Sequence, residues 1–279
     1  MPTTAARPLS LWIDTSPATR HASLSGDQTA DVVVVGAGIV GLTTALLLQR
    51  AGRRVVVLEA DRVCMGTSGH TTAKVTALHG TIYSSLVRRY DEETAAVYAR
   101  ANEAALEQVE ALVHELEIDC DFSRTPAYTY TLDSERVTDI EAEVGAASAA
   151  GLAASLVTPT DLPLPVKAAV RLDHQIALHA RLYCLGLADG LVRSGGTIFE
   201  GTRVTDVRTR GGAHVVQTAH GTVTAPRVVL ATLLPILDRG GFFAKATPQR
   251  SYLIAARLRQ PVPEGMWINV EQPGVYYGQ

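Results

Sequence analysis

The sequence predicts an α/β fold in two parts, a parallel-sheet domain and a smaller α+β domain. Three observations carry it. An apolar run at 31–35 leads through a glycine-rich turn into a helical pattern and then a second apolar run at 53–59, which makes a βαβ unit of about thirty residues. A long amphipathic helix and an alternating strand then interrupt the pattern at 91–132. From 197 onward the apolar period falls to two and stays there through several short runs.

Taken in order, residues 1–27 are an irregular lead-in, although Leu9, Leu11, Trp12 and Ile13 are apolar enough to pack onto something. Asp31–Val35 is the first strand, 36–41 the turn, and a helix runs to about Ala51, where Gly52 closes it before the strand at 53–59. Residues 91–118 place Tyr98, Ala101, Ala105, Val109, Leu112 and Leu116 on one stripe, with the glutamates largely elsewhere as a solvated face. Ala127–Leu132 alternates as a strand, putting Tyr128, Tyr130 and Leu132 on one side. A second helix starts near Asp133/Ser134 and fades into the Ala/Gly stretch 145–154, and a Pro-rich connector follows. A helix over about 176–194 ends at Gly195-Gly196. Strands follow at 197–200, 203–208, 214–218, 222–224 and 227–232, with turns at Gly211-Gly212 and His220-Gly221 making a meander. Ser251–Leu258 and Met266–Val270 read as the last strands. The parallel-sheet domain is drawn from 28–90 and 155–245, and the second domain from 91–154 and 246–279.

Composition narrows the function classes. The 279 residues are 47% hydrophobic, 19% charged and 5% aromatic, which is globular stock. With 25 Lys+Arg against 28 Asp+Glu the formal net charge is −3, so no global field gathers phosphate backbones, and nucleic acid is not expected as a partner. Cys64, Cys120 and Cys184 lie far apart without any C-x-x-C, so no disulfide framework, zinc site or iron–sulfur cluster is expected, and reduced, cytoplasmic thiols are the default. The first thirty residues lack an apolar signal core. Val32–Leu48 is apolar, but it is short, begins directly after Asp31 and carries three glycines; it reads as a buried strand turning into a buried helix, with no membrane span.

Gly36-Ala37-Gly38-Ile39-Val40-Gly41 is G-x-G-x-x-G between a strand and a helix, and Glu59 ends the second strand eighteen residues after the third glycine. Gly36 permits the tight turn, Gly38 lets a pyrophosphate approach the backbone, and Gly41 lets the helix lie close to the sheet. The helix N-terminus offers free N–H groups and positive dipole to phosphates. Glu59 accepts hydrogen bonds from ribose hydroxyls and repels a 2′-phosphate, which disfavours NADP. The fingerprint leaves FAD and NAD open, because both present the same ADP half. The sequel of a polar loop, a long insertion, a meander and a return strand is unlike the unbroken βα repeat of NAD dehydrogenase domains.

Asp31–Asp61, followed by Gly66-Thr-Ser-Gly-His-Thr-Thr-Ala-Lys-Val-Thr-Ala-Leu-His-Gly80, closely resembles the FAD-dependent oxidoreductases of the D-amino-acid-oxidase superfamily. It is most similar to the subgroup whose longer members carry a C-terminal Rieske [2Fe–2S] domain, for which these residues are not expected to hold any part of the ligand set. Further likeness lies in Ser10-Leu-Trp12, Ala101–Ala105, Pro126–Tyr130, His179, Val228–Thr232 and Arg250-Ser-Tyr252. The resemblance implies a Rossmann-like FAD-binding domain with an α+β substrate cap. It places Gly36, Gly38, Ile39, Val40 and Gly41 at the pyrophosphate, Glu59 and Ala60 at the ribose, and Val204 at the adenine. Ala231 and Thr232 lie on the return strand near the pyrophosphate, and Ser68, Thr71, Thr72 and Lys74 run toward the flavin end. There the Lys74 cation would stabilise negative charge on the ring. His70 and Cys64 lie near the expected flavin, and a non-covalent FAD is expected. His79 and His179 read as histidines satisfied by neighbouring backbone. Tyr128, Tyr130 and Tyr252 are candidates for an aromatic wall over the ring, and Arg250 for a clamp on a substrate carboxylate. No catalytic base and no metal ligand is nominated.

The implied function is oxidation of a C–N bond of an amine or amino acid by hydride transfer to FAD, with O₂ or an electron-transfer protein as acceptor. Superfamily members run well beyond this length, so a C-terminally incomplete cap is expected, with an exposed edge strand and weak FAD retention, reduced activity or pairing with another chain. Leu233 stands where related sequences often have a polar residue. Two alternatives are carried: a catalytically defective fragment or a subunit completed by a partner, and an NAD-dependent dehydrogenase.

Overall fold

The computed structural model describes residues 9–158, 162–237, 240–247, 251–256, 259, 263–271 and 274–277. The chain divides into two compact units. The first takes 1–71, 115–120 and 179–255, and the second takes 72–114, 121–178 and 256–279.

The first unit is built on a four-stranded parallel sheet in the order Arg227–Leu230, Val32–Val35, Val55–Leu58, Thr197–Phe199. Val32–Val35 is buried at every position, as a central parallel strand covered on both faces demands. The helix Ile39–Arg50 follows, burying Gly41, Leu42, Ala45 and Leu46. It stops where Gly52 adopts φ +77 and the Gly52 and Arg53 amides donate back to the Gln49 and Leu48 carbonyls. The helix Ala180–Arg193 packs beside it. Gly186 and Gly190 of that helix lie against Ile118 and Leu116, where a β-carbon would fall 2.5 and 2.9 Å from those side chains.

A second sheet in this unit is the meander Val204–Arg210, Ala213–Thr218, Thr222–Ala225, extended by a parallel strand, Gln28–Thr29. Leu24, Val33, Val35, Val56, Leu58, Val207, Val216 and Val223 form one core between the two sheets.

The second unit is a mainly antiparallel sheet in the order Tyr276–Tyr277, Met266–Asn269, Ser123–Thr131, Ala168–Ala177, Lys74–Val75, with Ser155–Val157 also on Ala168–Ala177. Pro126 has no N–H to give, and it falls where the register of Ser123–Thr131 shifts. The helices Ile82–Arg89, Glu92–Glu115 and Val137–Ala149 complete the unit. Glu143, fully buried, caps the first of these by accepting from the Tyr83 and Ser84 amides at 2.9 and 2.8 Å.

Several expectations need correction. The helix expected from about 176 starts at Ala180, because Ala168–Ala177 is a strand paired on both sides. Its alternation is hidden by burial of both faces and by His174 at φ +59. The lead-in is not wholly irregular, since it contains the helix Leu11–Asp14. Residues 251–256 form no strand, while 257 and 258 lie outside the described residues. The unit boundaries also differ from those expected. The compact units divide at 71/72 and 178/179, with 115–120 also in the first, where the sequence drew edges at 90 and 155; the strands at 74–75 and 168–177 pair within the second sheet.

Candidate functional site

The glycine turn of the first unit is a cradle that side chains would fill. A β-carbon on Gly36 would lie 2.6 Å from the Ala231 carbonyl oxygen, and Gly36 holds φ +107. One on Gly41 would lie 1.9 Å from the Gly36 carbonyl oxygen, and one on Gly38 would lie 2.9 Å from Ser68 Oγ. Gly36 and Gly41 are therefore required by the packing of turn, helix and return strand. Gly38 faces only the tip of a serine. The Ala231 amide donates to the Val35 carbonyl at 2.8 Å, which pins the end of the return strand beside the turn. Behind it stands the N-terminus of Ile39–Arg50, whose first-turn amides have no carbonyl of their own helix.

Two carboxylates organise the surroundings. Glu59 accepts from the Ala37 amide at 2.7 Å through Oε2 and from the Asp61 amide at 2.9 Å through Oε1. It thus sits against the turn with lone pairs still available. The Thr202 amide donates to the Glu59 carbonyl and the Gly201 amide to that of Asp61, which brings the start of Val204–Arg210 alongside half-buried Ala60. Val204 itself is buried in the core between the sheets. Glu200, 4% exposed, accepts from Thr19 Oγ1, the His21 amide and the Val63 amide. Burial pushes its carboxyl upward, but the hydrogen bonds outweigh that and hold it below the ordinary range. Sequence reading missed Glu200, because an acidic residue beside a turn carries no signal of burial.

The lead-in holds the loop that follows. Ser10 Oγ donates to the Gly69 carbonyl at 2.6 Å, and Trp12 Nε1 donates to the Thr71 carbonyl at 2.8 Å. Ser68 Oγ in turn accepts from the Ile39 amide at 3.1 Å. His179 is the N-cap of Ala180–Arg193: its Nδ1 accepts from the Leu182 amide, so Nε2 carries the proton and faces Thr15 Oγ1 at 2.9 Å. His70 is exposed and meets the Gly66 carbonyl through Nδ1, and Cys64 is buried. Thr232 Oγ1 donates to the Leu234 carbonyl, Val40 is exposed, and Leu233, exposed, holds φ +65.

In the second unit Thr72 is exposed, and Lys74 is half-buried on the edge strand with its ammonium 5.9 Å from the Tyr276 ring centre. Burial pushes its pKa down to about 8. His79 Nδ1 meets Tyr98 Oη at 2.9 Å; burial and then the Lys74 charge hold its pKa below the ordinary value. Tyr128 stacks on Trp267 at 3.7 Å with the rings 3° apart, the Arg171 guanidinium lies over its ring, and Tyr130 meets Trp267 edge-on. Both tyrosines expected in an aromatic wall are buried in a core cluster with Leu162, Ala169 and Trp267. Tyr252, in the first unit, is 94% exposed. Arg250 lies outside the described residues.

Among the described residues no cluster of His, Cys, Asp and Glu could hold a metal ion, and no helix is long and apolar enough to cross a membrane.

Comparison with known proteins agrees with this geometry. The DAO family, described as FAD dependent oxidoreductase, matches residues 31–278. YhfW of Bacillus subtilis (strain 168), named as a Rieske 2Fe-2S iron-sulfur protein, is 33% identical over 269 residues, which are 96% of this chain and 53% of that protein. Gamma-glutamylputrescine oxidoreductase of Escherichia coli (strain K12) is 28% identical over 75% of this chain and 50% of its own length. The chain thus spans about half the length of the curated relatives it matches. Among solved structures, glycine oxidase from Geobacillus kaustophilus matches with a TM-score of 0.59 at 21% identity over 73% of this chain and 55% of that one. L-amino acid deaminase from Proteus vulgaris matches with a TM-score of 0.63 at 18% identity, over 77% and 50%. These two likenesses concern the fold. With the family matching from the first Rossmann strand to residue 278, and with the glycine cradle in place, the chain belongs to the DAO family of FAD-dependent oxidoreductases.

Proposed function

We propose that this chain binds FAD non-covalently and serves an oxidation at a C–N bond of an amine or amino acid. The observation that carries the reading is the cradle at Gly36, Gly38 and Gly41, where side-chain-free backbone meets a helix N-terminus beside Glu59. When bound, FAD supplies the two-electron acceptor that takes a hydride equivalent from the carbon next to nitrogen, with O₂ or an electron-transfer protein downstream.

The chain's own residues bind and orient. The backbone at Gly38, Ile39 and Val40 would receive the pyrophosphate, with Gly36 and Gly41 setting the turn. Glu59, with Ala60 behind it, would accept from the ribose hydroxyls, and its charge would repel a 2′-phosphate. Val204 would present backbone to the adenine, and Ala231 and Thr232 would border the pyrophosphate. Ser68, Thr71 and Thr72 would lead toward the flavin end. Lys74 would offer the cation there: with a pKa near 8 it is mostly protonated at neutral pH, and burial leaves its charge short of solvation. The amine and amino acid activities named for relatives support the substrate class.

The test is a visible absorption spectrum of the purified chain before and after FAD is added and the sample is desalted. Flavin bands retained through desalting are expected, and amines and amino acids are then screened for bleaching of those bands. A colourless protein that FAD cannot load refutes the reading, and one stabilised against heat by NAD but not FAD would replace it with a dehydrogenase.

A further inference from the structure

Two motifs that the cofactor reading leaves unused, Ser10-Leu-Trp12 and His179, meet in the first unit. The Trp12 ring stands edge-on to the His179 ring, with 4.9 Å between centres. Trp12 lies in a helix of only four residues, Leu11–Asp14, which is too short to hold itself together. The cap and first turn of Ala180–Arg193 hold it instead, through two hydroxyl relays. His179 Nε2 donates to Thr15 Oγ1 at 2.9 Å, and Thr15 Oγ1 donates to the Leu11 carbonyl at 2.6 Å. Arg181, 2% exposed, donates through Nη1 to Ser16 Oγ at 2.6 Å, and Ser16 Oγ donates to the Trp12 carbonyl. Each hydroxyl gives its single proton to the short helix and accepts one from the longer, so both relays have a fixed direction.

The short helix in turn grips the loop that follows the first βαβ unit. Ser10 Oγ donates to the Gly69 carbonyl at 2.6 Å, and Trp12 Nε1 donates to the Thr71 carbonyl at 2.8 Å. Ile13 Cδ1 lies 3.5 Å from the place of a β-carbon on buried Gly69. Such a grip is needed, because Cys64 at φ +60 and Ala73 at φ +58 bracket the loop in the left-handed region, where a residue with a β-carbon stays only if its surroundings hold it. The grip also sets a direction. A trans peptide points its C=O and N–H to opposite sides, so fixing the Thr71 carbonyl on the indole turns the N–H of that same peptide, which belongs to Thr72, away from the lead-in. That N–H has no acceptor among the described residues, and Thr72 is exposed.

We propose that Trp12 and Ser10 are positioning residues for the flavin half of FAD: they hold the 67–71 loop so that the Thr72 N–H is presented to an acceptor on the cofactor, while the glycine turn holds the ADP half by itself. The proposal rests on the cofactor reading above. On it neither side chain touches the cofactor, and each acts through a carbonyl of the loop. A loop already fixed need not be ordered when FAD binds, so the entropy of ordering it is not subtracted from affinity. ADP ends at the pyrophosphate and gains nothing from a fixed loop.

The test has two readouts on the full chain. The first needs no cofactor: amide hydrogen exchange, read by mass spectrometry, in the parent, Trp12→Phe and Ser10→Ala. Trp12→Phe keeps an aromatic ring and removes the indole N–H. Peptides covering 64–72 should exchange several-fold faster in both variants, and peptides covering 31–41 should exchange as in the parent. Unchanged exchange at 64–72 overturns the proposal, and so does equal acceleration of both regions, which is a general loss of stability. In the second readout FAD and ADP are titrated into the same chains. FAD affinity should fall about five- to tenfold, the weight of one ordinary hydrogen bond, with ADP affinity within about twofold of the parent. Ser10→Thr keeps a hydroxyl and should bind FAD nearly as the parent does, unlike Ser10→Ala. Equal FAD affinity in parent and Trp12→Phe, or equal losses for FAD and ADP, overturns the positioning role and leaves the cofactor reading standing. If the parent binds no FAD, the cofactor reading fails and the positioning role fails with it, whatever the exchange shows.

Discussion

Gly38→Ala and Gly41→Ala separate cofactor binding from folding within one turn. Ordinary van der Waals contact begins near 3.4 Å; a β-carbon on Gly38 stands 2.9 Å from Ser68 Oγ, and one on Gly41 stands 1.9 Å from the Gly36 carbonyl oxygen. Ser68 Oγ is the end of a side chain and can rotate away, at the cost of its bond from the Ile39 amide, about 1 kcal/mol. The Gly36 carbonyl is backbone, in a residue already at φ +107, so it has no comparable escape. Overpacking there costs about 3 kcal/mol or more. In a chain of this size those losses correspond to melting shifts of roughly 2–4 °C for Gly38→Ala and roughly 6–12 °C for Gly41→Ala. The ranking should invert for the cofactor relative to the fold: on the proposed FAD reading a methyl on Gly38 would block the approach of the pyrophosphate to the backbone, so FAD affinity should fall at least about tenfold in a chain that still folds. Urea unfolding of the cofactor-free variants gives the first quantity, and quenching of flavin fluorescence on titration gives the second. The reasoning is refuted if Gly38→Ala binds FAD as the parent does, or if the two variants lose equal stability without cofactor.

Three other outcomes follow from the buried polar groups. With its native pKa near 8 and an unfolded value of 10.5, Lys74 binds less proton folded than unfolded between those limits, so its contribution to stability improves as pH rises through that window, by at most about 3 kcal/mol. Urea midpoints at about pH 7 and pH 10 should therefore differ more in the parent than in Lys74→Met, and equal differences would refute this. Trp267→Ala should cost about 3–5 kcal/mol by opening the stack with Tyr128, whereas Trp267→Phe should cost far less, because the indole Nε1 it removes is buried without an acceptor; equal losses by denaturant unfolding would sink the argument. Glu200→Gln should cost about 2–3 kcal/mol near pH 7, since three donors converge on that carboxylate. Its native pKa is depressed, so the contribution is whole above the unfolded value of about 4.5 and fades as pH falls through the native one. An acid titration in which the gap between parent and variant does not narrow would contradict it.

Much of the first unit was legible because its information is local. A run of four valines suits burial on both faces of a central parallel strand, and Gly36 and Gly41 are needed where β-carbons would meet the Ala231 and Gly36 carbonyls. Glu59 was equally readable, being the end of the strand that follows. Ala168–Ala177 was misread in part because its partners, 123–131 and 74–75, are distant in sequence, and its burial on both faces erases alternation. Tyr128, Tyr130 and Leu132 were placed together on one side, but a strand pattern says nothing of what covers that side, and Trp267 and Leu162 arrive from far along the chain.

The same division holds for chemistry. Strand, turn and helix in immediate succession specify the glycine cradle, because the groups of the βαβ unit that shape it lie within about thirty residues and answer to backbone sterics. The burial of Glu200 and the isolation of Arg181 from any described carboxylate came only with the folded chain. Each depends on which distant segment displaces water from a polar side chain, and desolvation leaves no mark on a sequence until the chain closes around it.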